Sequence, residues 1–346
     1  MSKTEAILRA LRASGAFEAA RYLTRRKLRI LCYHGLWLGG APHYGDCLYM
    51  DPKKFEERME WLAASRYPVL GLDEALRRLD DGSLPDNAVV ITIDDGWYST
   101  YRGMVPVLVR LGLPATVYVT TYYATRQIPV LNVLIQHMLE AAPRTLSSCY
   151  ELLQSENALP DAPSSPVDRA YLAQELTGQI DSRPYSERWP AVEKLAAALD
   201  FRLEPVISGR LFHLMSEDEI RGLAALGMDI QLHTHTHRMH EMNASRVAEE
   251  IRRNRITLAR ILDRGPEEFR HFCFPSGVFS SEIFRTLRDL GMLSATTTRS
   301  GLVDKGDERM ELNRILDCQS LSLIELEARV CGLWHLLSVS RARLAR

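Results

Sequence analysis

Residues Ala88–Gly96 read AVVITIDDG, an unbroken apolar run that ends on two carboxylates and a glycine. Strands that are covered on both faces show such continuous runs, so Ala88–Ile93 predicts an inner strand of a parallel sheet. Asp94 and Asp95 follow at its carboxyl end, where adjacent carboxylates are costly unless a cation lies beside them. A divalent metal meets that need, with one aspartate as its ligand and the other ionised as a base. An Asp-Asp-Gly surface turn is the alternative interpretation.

Six further short apolar runs predict strands, and helical patterns separate them. The seven predicted strands are Leu28–Tyr33, Ala88–Ile93, Ala115–Val119, Met228–Leu232, Phe272–Phe274, Leu293–Thr297 and Leu312–Leu316. The predicted helices include Pro52–Ala64, a stretch containing Val105–Leu111, Ser216–Leu226, Ala244–Leu262, Ser280–Leu290 and Ser322–Leu337. This alternation predicts parallel βαβ units of an α/β fold. Closure of the sheet into a barrel would gather the chemistry at the carboxyl ends of the strands.

One long stretch, residues 122–211, breaks this alternation. It holds helical fragments and a polar, proline-rich piece, namely Val133–Ala141, Arg169–Ile180, Ala191–Leu199 and Leu159–Val167. We predict a helical insertion within a single catalytic domain that spans residues 1–346. Long insertions in α/β enzymes often line the site, so this one is either a lid or wall of the cleft or a surface decoration.

The overall charge argues against a nucleic-acid partner, because a formal net charge of −1 provides no positive field to recruit a polyanion. Basic residues cluster near the two ends of the chain, where we expect helices over residues 1–27 and 322–346. The clusters comprise Arg21, Arg25, Arg26, Lys27 and Arg29, and Arg341, Arg343 and Arg346. They are solvated faces or peripheral contacts with an anionic membrane surface or a lipid-linked phosphate.

The six cysteines are widely spaced and include no Cys-x-x-Cys pair. In a chain of this size that spacing indicates reduced, mostly buried thiols and argues against disulfides and a structural zinc site. The N-terminal segment has no apolar run long enough for a signal peptide, and no stretch reaches the ~18 apolar residues of a membrane span. We therefore expect a cytoplasmic location, with any membrane contact at the inner membrane face.

A histidine-rich segment, Gln231–His240 (QLHTHTHRMH), follows the predicted strand Met228–Leu232. If the chain coils after the strand, His233 and His237 suit one metal. If the strand continues, His233, His235 and His237 share a face instead. The spacing leaves both arrangements open. One aspartate and two histidines with an open position form a hydrolytic metal set.

A third segment, His271–Phe279 (HFCFPSGVF), places a Pro-x-Gly turn after a strand. Such a turn is a common loop feature, and it can also direct backbone N–H groups toward a ligand. We single out Pro275, Ser276 and Gly277 as candidate substrate or oxyanion contacts.

In this order, the three segments resemble the polysaccharide deacetylase family, also called the NodB-homology or family-four carbohydrate esterases. The resemblance covers Ala88–Leu111, Ser216–Met242 and Phe269–Thr298, and the Tyr33-His34 strand end is similar to that of several exopolysaccharide members. It implies a distorted (β/α)7 barrel. The family motif Thr-Phe-Asp-Asp-Gly corresponds to residues 92–96, which implies that Asp94 is the base and Asp95 a metal ligand. The motif His-Ser/Thr-x-x-His implies that His233 and His237 are ligands and that His235 is a bystander.

Two positions depart from the family pattern. Family members carry an arginine two residues before the third motif's proline to hold the catalytic aspartate, and Cys273 stands there. Arg270 or Arg314, the latter in the last predicted strand, is the candidate replacement. The family's final Leu-x-His motif supplies the general acid, and here the last strand is followed by Asp317. His34 and Asp317 are the candidate acids, with His34 as the expected donor and Asp317 orienting its ring.

The resemblance implies hydrolysis of an N-acetyl group from an amino sugar in a glycan or glycolipid, with a divalent metal, Zn²⁺ being the expected ion. A sugar N-deformylase on the same scaffold and a catalytically inactive glycan-binding relative are the alternatives. His335, in Leu333-Trp334-His335, is the one later histidine, and its surroundings predict a helix rather than the final motif.

Overall fold

Seven parallel strands form a closed barrel in this computed structural model, which describes residues 2–142, 169–239 and 243–344. In order around the barrel they are β1 (Arg29–Tyr33), β4 (Val89–Ile93), β5 (Thr116–Val119), β6 (Asp229–Leu232), β7 (His271–Cys273), β8 (Ser294–Ser300) and β9 (Leu312–Leu316). Strand β9 pairs with β1 and closes the ring. Two short strands, β2 (Gly35–Leu36) and β3 (Tyr49–Met50), form a separate parallel pair. The barrel fold predicted from the sequence is confirmed.

The helices lie between and after these strands. They are α1 (Lys3–Ala13), α2 (Ala16–Leu23), α3 (Pro52–Ala64), α4 (Leu72–Asp81), α5 (Val105–Leu111), α6 (Thr121–Arg126), α7 (Leu131–Ala141), α8 (Arg169–Asp181), α9 (Tyr185–Ala198), α10 (Glu204–Ser208), α11 (Glu217–Ala225), α12 (Ala244–Leu262), α13 (Phe284–Asp289), α14 (Leu323–Val330) and α15 (Leu333–Leu344). Ser216 caps α11 through reciprocal hydrogen bonds with Glu219, as the Ser-x-x-Glu pattern predicts. No described helix is long and apolar enough to cross a membrane.

The described chain divides into two units. The first comprises Met1–Leu38, Gly45–Arg126 and Leu214–Arg346 and contains the barrel. The second comprises Gly39–Tyr44 and Gln127–His213 and contains α7 to α10. The predicted insertion, residues 122–211, overlaps the second unit, although α6 belongs to the first. Its proline-rich piece, Leu159–Val167, lies outside the described residues, and its role as a lid or wall stays a prediction.

Aromatic side chains form much of the second unit's core. The ring of His137 lies 5.1 Å from that of Phe212 and 5.7 Å from that of Phe201. The Tyr44 ring contacts both His137 and Phe212, and its hydroxyl donates to the carbonyl of Val133 at 3.2 Å. Burial lowers the pKa of His137. This histidine is therefore a neutral core residue of that unit.

Each of the two basic terminal segments forms two helices separated by a glycine and not one continuous helix. Gly15, with φ +81°, separates α1 from α2. Gly332, with φ +90°, separates α14 from α15 and packs against Thr24, where a Cβ at residue 332 would lie 2.4 Å from the threonine hydroxyl. Glycine is required there by both conformation and space. The N- and C-terminal helices thus pack together in the first unit, around a buried cluster that includes Phe17, Ile324 and Cys331.

One prediction about the cysteines is wrong, because Cys47 and Cys318 form a disulfide with a Cα–Cα distance of 4.4 Å. The two residues are 271 positions apart, and only closure of the barrel brings the loop after β2 next to the end of β9. Spacing along the sequence carries no sign of such a contact. Cys32, Cys273 and Cys331 are buried free thiols as predicted. Cys149 lies outside the described residues.

Candidate active site at the carboxyl ends of the strands

Barrel register brings the first two candidate residues together. Tyr33 of β1 pairs with Ile93 of β4, so the residues that follow them, His34 and Asp94, leave the barrel side by side. The Nε2 atom of His34 lies 3.7 Å from Oδ2 of Asp94. The His34 side chain is 17% exposed, whereas Asp94 is buried. Among the described residues, Nδ1 of His34 has no hydrogen-bond partner.

Arg314 of β9 binds the carboxylate of Asp94. Strand β9 and strand β4, which ends just before Asp94, lie on the two sides of β1. The Nη1 and Nη2 of Arg314 donate to Oδ1 and Oδ2 of Asp94, both at 2.7 Å, and both side chains are buried. Burial alone would raise the pKa of Asp94, but the guanidinium lowers it to about 2. Asp94 is therefore ionised at neutral pH. Arg270 instead lies at the surface, with its Nη2 3.5 Å from Asp73, so Arg314 occupies the role that the sequence left open between the two.

Two buried thiols complete the surroundings of Asp94. Cys273 Sγ lies 3.4 Å and Cys32 Sγ 3.6 Å from Oδ2 of Asp94, and Arg314 Nη2 donates to the Cys273 sulfur at 3.2 Å. Burial raises the pKa of both thiols well above the ordinary range, so they are neutral S–H groups. The position where relatives carry arginine thus holds a weak neutral donor. Cys32 was not singled out from the sequence, because its place beside Asp94 depends on which side of strand β1 faces the barrel interior.

Asp95 lies against two histidine rings. Its Oδ1 is 3.0 Å from Nε2 of His233 and 3.1 Å from Nε2 of His237. One ligand atom from each of the three residues falls within 4.8 Å of the others. Burial alone would raise the pKa of Asp95, but its hydrogen bonds to both histidines hold it well below the ordinary range.

The donor set fits a divalent transition metal such as zinc. One carboxylate oxygen and two imidazole nitrogens leave coordination positions for water and substrate. His233 Nδ1 lies 2.8 Å from the carbonyl of Cys273, to which it donates, so that Nε2 would offer its lone pair to a metal bound between it and Asp95. Trp97 Nε1 donates to Oδ2 of Asp95 at 2.7 Å and so leaves Oδ1 for the shared position. Trp97 was missed, because nothing in its spacing distinguishes it from a core tryptophan.

His235 does not join this group. Its Nδ1 lies 2.9 Å from Oγ1 of Thr121, and its carbonyl accepts from the backbone N–H of Tyr122. The loop leaves the extended conformation at Thr234 (φ 62°) and at His237 (φ 59°), which turns His235 away from the two other rings. The structure thus assembles the pair spaced by four residues and not the alternating set.

Asp317 points away from the site, contrary to the sequence interpretation. Its Oδ2 accepts from Nε of Arg58 at 3.1 Å and from the Tyr33 hydroxyl at 3.2 Å. Tyr33 and Cys32 are adjacent in β1 and face opposite sides of the strand, and Cys32 faces Asp94. Asp317 therefore lies outside the barrel wall, where burial raises its pKa, and it does not orient His34.

His335 also lies outside the site, within α15 as the sequence predicts. Its Nδ1 accepts from the backbone N–H of Leu302, next to Val303, which pairs with Leu28 just before β1. That contact lies at the amino ends of the strands, at the opposite end from Asp94. It is not the family's final motif.

The Pro-x-Gly turn after β7 is tightly constrained. Ser276 and Gly277 both have positive φ, 54° and 65°, and a Cβ on Gly277 would lie 2.0 Å from Oγ1 of Thr298. The Gly277 N–H donates to the carbonyl of Phe274 at 3.1 Å, within the turn. Of the three residues singled out from the sequence, Pro275 has no N–H group and Gly277 uses its N–H within the turn. The Ser276 N–H is therefore the one left for a ligand.

Comparison with known proteins identifies the family. The polysaccharide deacetylase family model matches residues 81–151 and 179–295, more than half of the chain. The match includes Asp94, Asp95, His233, His237 and the turn after β7. The chain belongs to the polysaccharide deacetylase family of carbohydrate esterases.

A curated relative and several solved structures agree. YxkH of Bacillus subtilis (strain 168), whose name places it among polysaccharide deacetylases, is 36% identical over 93 residues, which are 27% of this chain and 31% of that protein. The Streptococcus pyogenes deacetylase PplD in complex with acetate has a TM-score of 0.58 at 16% identity, over 89% of this chain and 99% of PplD. IcaB from Ammonifex degensii has a TM-score of 0.53 at 17% identity, over 88% and 97%. At these identities the two structures show the fold alone.

Proposed function

We propose that this protein is a metal-dependent hydrolase that removes N-acetyl groups from amino sugars of a glycan or lipid-linked saccharide. The observation that carries the proposal is the juxtaposition of two differently held carboxylates on successive residues. Asp94 forms a bidentate ion pair with Arg314, whereas Oδ1 of Asp95 contacts Nε2 of both His233 and His237. One chain segment thus supplies a base and a metal ligand, as metal-assisted amide hydrolysis requires.

Asp95, His233 and His237 would hold the metal, with Zn²⁺ as the proposed ion. Bound there, a divalent metal supplies a Lewis acid that polarises the acetyl carbonyl and makes a water molecule more acidic. Asp94 accepts the proton of the attacking water. Its ion pair with Arg314 keeps it ionised and fixes the direction of its oxygens.

His34 is the proposed proton donor to the leaving amine. Its ring lies next to Asp94 and is partly exposed to solvent. Histidine is also the side chain that exchanges protons near neutral pH. Nε2 of His34 lies 3.7 Å from Oδ2 of Asp94, so a proton that Asp94 has taken from water would pass to His34 through one bridging water molecule or on closer approach of the two side chains. The N–H of Ser276 is the proposed backbone contact to the oxyanion, since such donors stabilise charge that develops in the transition state.

The proposed substrate class includes lipid-linked sugars because of the terminal helices. The basic N- and C-terminal segments, far apart in sequence, lie in one helical layer around Phe17 and Ile324. Tyr22, Arg26 and Trp334 are exposed, whereas Arg29 of the N-terminal basic cluster is buried and donates to the carbonyl of Val330, contrary to its predicted place on a solvated or membrane-facing surface. Arg346 of the C-terminal cluster lies outside the described residues. We propose that this helical layer makes peripheral contact with an anionic membrane surface. Vesicle sedimentation at low and high salt tests this, and equal binding to neutral and anionic vesicles would contradict it.

The cytoplasmic location expected from the sequence stays a prediction. The Cys47–Cys318 disulfide weighs against it, because such bonds persist in oxidising compartments. Alkylation of free thiols in intact cells, followed by mass spectrometry, distinguishes a cytoplasmic protein with reduced thiols from a protein in an oxidising compartment. An alkylated Cys47 would support the cytoplasm, and an intact disulfide would contradict it.

The function itself is tested by incubating the purified protein with N-acetylated and N-formylated amino-sugar oligomers and quantifying free amine, acetate and formate. We expect equal amounts of amine and acetate. Faster release of formate than of acetate would assign the deformylase alternative. Glycan binding without any release of amine would identify an inactive relative and overturn the proposal.

A further inference from the structure

Helix α12 contacts the loop that carries both histidine ligands. Glu250 and Asn254 lie four residues apart and therefore on the same face of this helix. The Oδ1 of buried Asn254 accepts from the backbone N–H of His233 at 3.0 Å, and its Nδ2 donates to the carbonyl of Val119 at 3.0 Å. The first ligand is thereby fixed to the end of β5.

Glu250 holds the second half of the loop. Its Oε2 accepts from the backbone N–H of Thr236 at 2.7 Å, and its Oε1 accepts from the Thr236 hydroxyl at 3.0 Å. Thr236 directly precedes His237. The His237 N–H in turn donates to Oγ1 of Thr234 at 3.0 Å, so the turn is bound at both of its ends.

These contacts maintain a backbone that the loop would otherwise avoid. Thr234 and His237 have φ of 62° and 59°, in the left-handed region. That conformation is unfavourable for residues other than glycine, and especially so for a β-branched residue such as threonine. Without this left-handed conformation, His237 would not direct its Nε2 toward Asp95. The loop could then adopt the extended arrangement in which His233, His235 and His237 share a face.

We propose that Glu250 is a positioning residue for the metal ligand His237. The assignment rests on the proposed function, since it presumes that His237 binds the metal. A carboxylate suits this position because it accepts two hydrogen bonds from one threonine, which an amide side chain cannot do with both of its terminal atoms. Glu250 acts through Thr236 and does not touch the metal position itself.

The test compares Glu250→Gln with Glu249→Gln. Glu249 is the adjacent residue of α12, its side chain is 62% exposed, and it forms an ion pair of 3.8 Å with Arg253 in the same helix. Zn²⁺ affinity is measured by competition with a chromophoric chelator, and Co²⁺-loaded protein gives the visible absorption of the site. We expect Glu250→Gln to weaken Zn²⁺ binding by ~10- to 100-fold and to change the Co²⁺ bands at saturating metal, the scale seen when outer contacts of metal ligands are removed. Glu249→Gln should match the wild type.

A second pair of variants separates positioning from simple stability. Thr236→Ser keeps the hydroxyl that Glu250 accepts from and should retain wild-type affinity and bands, whereas Thr236→Val should shift both in the direction of Glu250→Gln. Wild-type Zn²⁺ affinity and unchanged Co²⁺ bands in Glu250→Gln would overturn the positioning role and leave the proposed function standing. A wild-type protein that binds no metal would overturn the proposed function, and the positioning role with it.

Discussion

Arg314 and Asp94 form a buried, bidentate ion pair across the carboxyl end of the barrel, with both N–O distances at 2.7 Å. The arginine comes from the last strand, β9, whereas the family pattern places it at the end of β7. Cys273 stands at that position and contacts the same carboxylate as a neutral thiol. The chain thus preserves an arginine–aspartate pair while supplying the arginine from a different strand.

Replacing Arg314 by Met should destabilise the fold by about 3–5 kcal/mol at pH 7, the usual cost of breaking a buried pair. The cost should shrink at acid pH. The folded-state pKa of Asp94, about 2, lies below its ordinary value, so the pair stabilises above that ordinary value and loses its contribution as pH falls toward 2. Without Arg314, burial raises the pKa of Asp94, and the acid limb of the activity profile moves to higher pH.

Urea denaturation at pH 7 and pH 3, with a pH–rate profile, checks both effects. Arg270→Met is the control, because Arg270 lies at the surface beside Asp73 and should change stability by no more than about 0.5 kcal/mol. Equal losses in the two variants, or an unmoved acid limb in Arg314→Met, would contradict the role given to the pair.

Asp94→Asn should retain metal but lose turnover by ~10² or more, the usual scale for a missing general base. The amide keeps the volume of the carboxylate while removing its charge and proton affinity. Metal content by mass spectrometry and amine release are the measurements. Loss of metal together with activity would make Asp94 a ligand, and unchanged turnover would remove it from the mechanism.

Asp95→Ala and His237→Ala should each lose bound metal and activity while the fold survives. Each removes one of the three donor atoms that lie together. His235→Ala is the matched control, since its ring pairs with Thr121 and not with Asp95. Stripping of the metal by His235→Ala would show that the alternating set binds the ion in solution.

Much of the fold follows from the sequence, because a strand that is covered on both faces, such as Val89–Ile93, is recognisable as a short, mostly apolar run. The helix Ala244–Leu262 is predicted with its observed bounds, since Asn243 caps it and its buried positions recur at helical spacing. The three sequence motifs needed no knowledge of packing, and together with the predicted strands they place Asp94, Asp95, His233 and His237 after strand ends.

The remaining contacts depend on which way a side chain faces, and spacing does not reveal that. Asp317 follows β9 as predicted, yet it faces Arg58 outside the barrel wall. Cys32 reaches Asp94 through pairing of strands that are distant in sequence, Glu250 reaches Thr236 from a helix, and Trp97 bonds Asp95 within the turn after β4. The disulfide between Cys47 and Cys318 escaped prediction for the same reason.

His34→Gln should abolish or shift the alkaline limb of the pH–rate profile with metal content intact. The reason is that a histidine donor must carry a proton to protonate the leaving amine, so its deprotonation slows the reaction as pH rises. His335→Gln is the control, because His335 lies at the opposite end of the barrel beside Leu302. If His335→Gln were the variant that loses the limb, the assignment of His34 would be wrong.

Metal dependence is tested most directly by stripping the wild-type protein with a chelator and titrating Zn²⁺ back while amine release from an N-acetylated amino-sugar oligomer is followed. The arrangement of Asp95, His233 and His237 predicts that the stripped protein is inactive and that activity returns in proportion to metal, with saturation at one ion per chain. Full activity in protein shown to be free of metal would contradict the account.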